Sequence, residues 1–192
     1  MKLGWKSFLC VVALCCASFT VQAAKLEGIE VDEQVRLSNT DLLLNGAGVR
    51  KTHFIKAYVA SLHLPRRSTH VDEVVQMRGP KRLQMVMLVG VESKEFTKAM
   101  LKGMRRNSTE AELSRLQERM HVFEQIIDSM VSVKRGDVLW LDYLPDMGMV
   151  LSVNGQTRGM PIVGEDFYGK LLEVFIGAHV SDPPLKQHLL GR

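Results

Sequence analysis

Apolar side chains recur along this chain with two periods, and the switch between them divides it into strand and helix blocks. The first block reads as strands. Gly28 to Val31 and Gln34 to Leu37 predict a short hairpin turning at Asp32-Glu33. Leu42 to Val49 is apolar but interrupted by Gly46 and Gly48, which predicts a bulge or the close approach of another backbone. Phe54 to Leu64 is a long run, partly aromatic and β-branched, that Pro65 stops. Lys81 to Val91 alternates through Leu83, Met85 and Met87 and then turns wholly apolar.

Helical spacing follows. Ser93 is the expected N-cap of a helix carrying Phe96, Met100 and Met104, closed by Asn107. Ser108 or Thr109 caps the next, with Glu112 placed for a capping box. Leu113, Leu116, Met120, Phe123, Ile127 and Met130 then form one apolar stripe, the pattern of a helix lying on its own core. Strand character returns at Asp137 to Leu144, Met149 to Val153 and Gln156 to Met160, with Asn154-Gly155 as a hairpin signal. Asp166 to Ile176 predicts a helix, and Pro183 or Pro184 opens a short terminal one that ends at Gly191. Strand runs separated from helix runs indicate an α+β fold, an antiparallel sheet with helices packed on one face.

The first 23 residues differ from the rest. Lys2 and Lys6 precede an apolar run from Phe8 to Phe19, and Val21-Gln22-Ala23 ends the segment with small residues at the last and third-last positions. This is the pattern of a secretory signal peptide cleaved after Ala23. The run is too short for a membrane span, which takes about 20 apolar residues. Two domains of the sequence are therefore expected: a signal peptide over 1–23 and one folded domain over 24–192, periplasmic or secreted. All three cysteines, Cys10, Cys15 and Cys16, lie in the leader. The exported domain then has neither disulfides nor cysteine-based chemistry.

Removing Lys2 and Lys6 with the leader lowers the net charge from +4 to +2. So small an excess, without a recognisable motif, makes no case for nucleic acid. No second apolar run is long enough for a transmembrane segment. His53, His63 and His70 lack the spacing of a helical metal pair, and His121 and His188 are isolated, so neither metal nor cofactor is expected. Asp142, Asp146, Glu165 and Asp166 fall where turns and caps are predicted. Arg66-Arg67 and Arg105-Arg106 read as solvated pairs.

Asn45-Gly-Ala-Gly-Val-Arg50, then Phe54-Ile-Lys56 and the strand to Leu64-Pro65, resemble the opening of the chalcone isomerase-like fold. Glu95-Phe96, Lys134-Arg-Gly-Asp137, the Asn154-Gly155 hairpin and Leu171 to Gly177 follow in the family's order. The ending, Asp182-Pro-Pro-Leu-Lys186 to Leu190-Gly191, resembles its short secreted bacterial branch. The resemblance implies an open-faced sandwich with an apolar cleft between sheet and helices.

It also implies where chemistry would sit. The ring-closing enzymes of the family use an arginine of the glycine-rich segment, a threonine on the next strand, a tyrosine and an asparagine on a helix, and a later threonine. Arg50 matches the arginine. Tyr58 stands in for the first threonine, Phe96 for the tyrosine, Gly103 for the asparagine and Val174 for the last threonine. Each lost donor to a developing oxyanion costs about 100- to 1000-fold in rate. The expectation is thus a non-catalytic binder of a small apolar or amphipathic, fatty-acid-like ligand. Arg50 would hold the polar end, with Tyr58, Phe96, Met100 and Val174 lining the cleft. Two alternatives stand beside it: an isomerase or intramolecular lyase acting on an enone through Arg50 and Tyr58, and a cell-envelope protein-interaction module. Arg50 also has a purely structural reading, as the partner of a local acid or a residue of a sheet edge.

Overall fold

The computed structural model describes residues 24 to 192, His53 excepted. Its strands are β1 (Ala24–Leu26), β2 (Ile29–Val31), β3 (Gln34–Leu37), β4 (Thr40–Thr52), β5 (Ile55–Leu64) and β6 (Lys81–Met87), then β7 (Val91–Glu92), β8 (Ser132–Val133), β9 (Val138–Leu144), β10 (Gly148–Val153) and β11 (Gln156–Ile162). The helices are α1 (Val71–Gln76), α2 (Ser93–Arg106), α3 (Glu110–Asp128), α4 (Glu165–Ile176) and α5 (Pro183–Leu189). Seven strands form one antiparallel sheet in the order β11-β10-β9-β6-β5-β4-β3, and two small ribbons join β1 to β2 and β7 to β8. Among the described residues no helix is long and apolar enough to cross a membrane.

Strand alternation sorts the side chains onto two faces. Tyr58, Ala60, Leu62 and Leu64 of β5, Leu83, Met85 and Met87 of β6, and Leu139 and Leu141 of β9 share one buried core with α2, α3, α4 and α5. The α3 stripe faces that core as its spacing predicts. Leu116, Met120, Phe123 and Ile127 are buried, and Leu113 and Met130 pack at its margin. Thr109, not Ser108, caps the helix, and its hydroxyl and the Glu112 carboxylate complete a reciprocal capping box.

Four expectations are corrected. Asp32-Glu33 does not turn a hairpin: β2 pairs with β1 and β3 with β4. The reason lies on the far face of the sheet. There Val31 packs with Leu44 and Val59, so the β1–β2 ribbon folds across the sheet instead of extending it. The second correction concerns α2, whose N-cap is Glu92. Pairing of β7 with β8 holds Glu92 extended, and Ser93 becomes the first helical residue, its hydroxyl buried without a partner. The third is the strand expected to run to Val91: β6 ends at Met87, and of the apolar stretch beyond it only Val91 returns to strand, in β7 with Glu92. Finally, Asp142 is at no turn. It lies inside β9, buried, and receives both branches of the Arg82 guanidinium at 2.7 and 2.6 Å.

The segment that matters most for the site is β4. The expected irregularity is present, with register shifts between Leu44 and Gly46 and again between Arg50 and Lys51. The close approach is present too. A Cβ on Gly46 would stand 1.9 Å from the His188 carbonyl oxygen, and one on Gly48 would stand 2.8 Å from the His188 Cβ. Bare backbone at these two positions lets α5 lie directly on the strand. Asn45 Nδ2 fixes the arrangement by donating to the Leu189 carbonyl at 2.7 Å. The chain's last helix is thereby laid beside the stretch of β4 that carries Arg50.

Candidate ligand-binding site

Arg50 and Tyr58 are directly paired neighbours on β4 and β5, so their side chains leave the same face of the sheet. That is the helix-covered face. Above them α2 supplies Phe96 and Met100, α4 supplies Val174 and Phe175, and the α4–α5 link supplies Ser181 and Asp182. Between these layers is a cavity of about 240 Å³. Arg50, Tyr58, Phe96, Met100 and Val174 all line it. A larger hollow of about 460 Å³ lies near α1, α3 and α4, but its charged walls are engaged with one another, Lys170 with Glu112 and Glu173.

The cavity has a polar end and an apolar body. At the polar end Nη2 of Arg50 donates to the Ser181 hydroxyl at 3.0 Å. Nη1 of Arg50 lies 3.1 Å from Oδ2 of Asp182, in an ion pair whose side chains are 18% and 9% exposed. The approach is oblique: Nη1 is buried and has no well-directed hydrogen-bond acceptor. Asp182 is held from other directions. Its Oδ1 accepts from the Leu185 amide at 3.0 Å, capping α5, and its Oδ2 accepts from the Lys51 amide at 2.9 Å. Burial pushes this carboxyl up, but the two amides and the guanidinium outweigh it and hold the pKa below the ordinary value. Asp182 is therefore a carboxylate at neutral pH.

Tyr58 behaves differently. Burial drives its pKa up to about 12, with Asp182 adding to the rise and Arg50 opposing it. Its hydroxyl has no hydrogen-bond partner among the described residues, so it stays protonated and free to donate into the cavity. The body of the cavity is apolar: Phe96 and Met100 are 5% exposed and Met87 2%.

Gly103 and Val174, which the resemblance pairs with an asparagine and a second threonine, are packed against each other. A Cβ on Gly103 would come within 2.6 Å of Val174 Cγ1. Helices α2 and α4 meet at these two positions without a hydrogen-bond donor, and Phe96 adds a hydrocarbon ring to the cavity wall.

A family model described as chalcone isomerase-like matches residues 23–191. The chain belongs to the chalcone isomerase-like family. Among solved structures, a fatty-acid binding protein of Arabidopsis thaliana shares the fold, with a TM-score of 0.69 at 12% identity over 88% of this chain and 96% of that one. Both have the antiparallel sheet covered by helices that the sequence led us to expect. No curated protein is significantly similar in sequence.

Sequence reasoning missed Ser181 and Asp182. Asp182-Pro-Pro is legible as the start of a helix, which it is, but nothing local shows that the same carboxylate reaches Arg50. The structural reading of Arg50, an acid as partner, therefore holds in part, with a partner distant in sequence instead of local. Among the described residues no three metal-ligating side chains come together. His63 is buried beneath the ribbon, its Nε2 against the Asp32 carbonyl oxygen at 2.8 Å, well away from the cavity lining.

Proposed function

We propose that this protein binds a small apolar or amphipathic ligand, fatty-acid-like in shape, between sheet and helices and carries out no chemistry on it. Arg50 and Tyr58 meet the polar end of the ligand, and Phe96, Met100 and Val174 form the apolar wall. The observation that carries this reading is the cavity itself. It is closed at one end by two donors, with Gly103 and Val174 interlocked where catalysis in the family draws on further donors. That a protein of the same fold is a fatty-acid binding protein supports it. The enone-isomerase alternative has less support, because Phe96 and Val174 of the cavity wall carry no hydrogen-bond donor for a developing oxyanion. An open cavity likewise gives the interaction-module reading less support than a filled one would.

Lipid extraction and mass spectrometry of the purified protein are expected to recover a bound amphiphile, chemically unchanged. In a displacement assay Arg50→Ala should weaken its binding about tenfold or more, the worth of a hydrogen bond from a charged donor. Ala99→Trp, at an exposed α2 position lining the cavity, should block binding while leaving the unfolding transition in place. Binding that survives both substitutions would place the ligand elsewhere.

We further propose that the protein works outside the cytoplasm, in the periplasm or secreted, as a member of the short secreted bacterial branch. The leader pattern of residues 1–23 and the absence of cysteine from 24–192 support this. Amino-terminal sequencing of the exported protein should begin at Ala24. A chain that keeps Met1 and stays in the cytoplasm would defeat the proposal.

A further inference from the structure

Three of the residues lining the cavity carry formal charges, Arg50, Glu95 and Asp182. Glu95 stands at the rim, its side chain 65% exposed and 4.0 Å from Lys98, so solvent screens it. The other two form the nearly dry pair at the polar end. The positive charge a bound carboxylate would seek is thus already matched. Asp182 cannot give way to it, because both of its oxygens are tied to backbone amides, one of them at the start of α5. A ligand carboxylate arriving at Arg50 would stand beside a fixed carboxylate of the protein, in a site with little water to separate them. What the site still offers is hydrogen-bond donation without net charge, from the buried and protonated hydroxyl of Tyr58. A neutral donor suits a lone pair of an uncharged oxygen.

Building on the reading of the cavity as a ligand site, we infer that the polar end of its ligand is an uncharged oxygen, a hydroxyl or carbonyl group, on an apolar body of medium size, and not a free carboxylate. Asp182 is the specificity-determining residue: it spends the charge of Arg50, and the hydroxyl of Tyr58 is left to meet the ligand. The cavity, about 240 Å³ with mostly apolar walls, takes the polar end and the adjoining apolar part of such a ligand. Fatty alcohols, aldehydes or esters meet both conditions, as do small hydroxylated or carbonyl-bearing rings.

The test uses the delipidated mature protein and probes built on one eight-carbon chain that differ at the polar end: 1-octanol, methyl octanoate and octanoate, titrated by calorimetry at pH 7.5. The uncharged probes should bind at least about tenfold more tightly than octanoate, given the penalty for juxtaposed like charges. Burying any carboxylate is costly, so this preference does not by itself implicate Asp182. Asp182→Asn does, because the asparagine oxygen keeps the cap on the Leu185 amide while the charge is removed together with the bond to the Lys51 amide. It should raise octanoate affinity at least about tenfold and leave octanol within about threefold, with a single cooperative thermal transition as a check on folding. Octanoate affinity should also rise in the unaltered protein as the pH is lowered through the carboxylic-acid range, while octanol affinity stays flat. Octanoate binding as tightly as octanol, or an Asp182→Asn variant no better at binding octanoate, overturns this inference and leaves the binding function standing. Failure of all three probes to bind overturns both.

Discussion

Asp142→Ala is expected to lower the free energy of unfolding by about 3–5 kcal/mol, the cost of orphaning one member of a buried ion pair. Arg82 and Asp142 face each other across β6 and β9, near the middle of the seven-stranded sheet, on the face opposite the helices. Their side chains are 13% and 8% exposed, and the two bonds between them are short and parallel. The guanidinium also lies 4.7 Å from the Trp140 ring centroid, and His63 is its paired neighbour on β5. Burial is the main influence on His63, keeping it neutral, so it offers Arg82 no replacement charge. Removing the carboxylate leaves a guanidinium half-clamped under an indole. Removing both charges should be far milder: Arg82→Met with Asp142→Leu is expected within about 1.5 kcal/mol of the unaltered protein. Chemical denaturation of the single and double variants decides the matter. A single variant that loses less than about 1 kcal/mol would show that water reaches this pair and screens it.

Asp142 also marks a limit of sequence reading. The strand expected over Asp137 to Leu144 contains Asp142, yet its carboxylate reads with the acids of turns and caps, because acids are rare in central strands. Its burial depends on Arg82, which belongs to a different part of the chain. The same limit explains the misread hairpin. Strand character at Gln34 to Leu37 was legible, but its pairing with β4 depends on where Val31 finds an apolar surface. Helix α1 was passed over because it has six residues, no capping side chain and one buried residue, Val74, too little for a periodicity to show. By contrast, α3 and the β9–β10–β11 meander were readable because each declares itself locally, through a capping box and a long stripe or through Asn154-Gly155. Of the site, Arg50, Tyr58, Phe96, Met100 and Val174 were reached by resemblance, and the structure brings them to one cavity. Ser181 and Asp182 were not reached, since their place beside Arg50 is set by the docking of α5 on β4.

That docking gives the second large expectation. Gly46→Ala should destabilise the protein by about 2–4 kcal/mol, in the range of the larger steric effects of single substitutions. The atoms a methyl group would meet are all backbone: the His188 oxygen at 1.9 Å, the Leu189 oxygen at 2.9 Å and the Gly191 nitrogen at 3.0 Å. No rotamer change relieves such contacts, so α5 must lift from the strand, weakening the bond from Asn45 to Leu189. Gly90→Ala is the matched control, its added Cβ meeting nothing closer than 3.5 Å, and should stay within about 0.5 kcal/mol. The consequence extends to the cavity. Asp182 is held against Arg50 by the same short helix, so lifting α5 loosens the clamp that spends the guanidinium's charge. Hydrogen exchange on Gly46→Ala should therefore show lost protection at the amides of Leu185 and Lys51, which bond to Asp182, while the β9–β10 amides keep theirs. If stability falls but those two amides remain protected, α5 has stayed in place and the strain has gone into β4 itself. The link between the terminal helix and the charge state of the site would then fail, although the steric cost at Gly46 would remain.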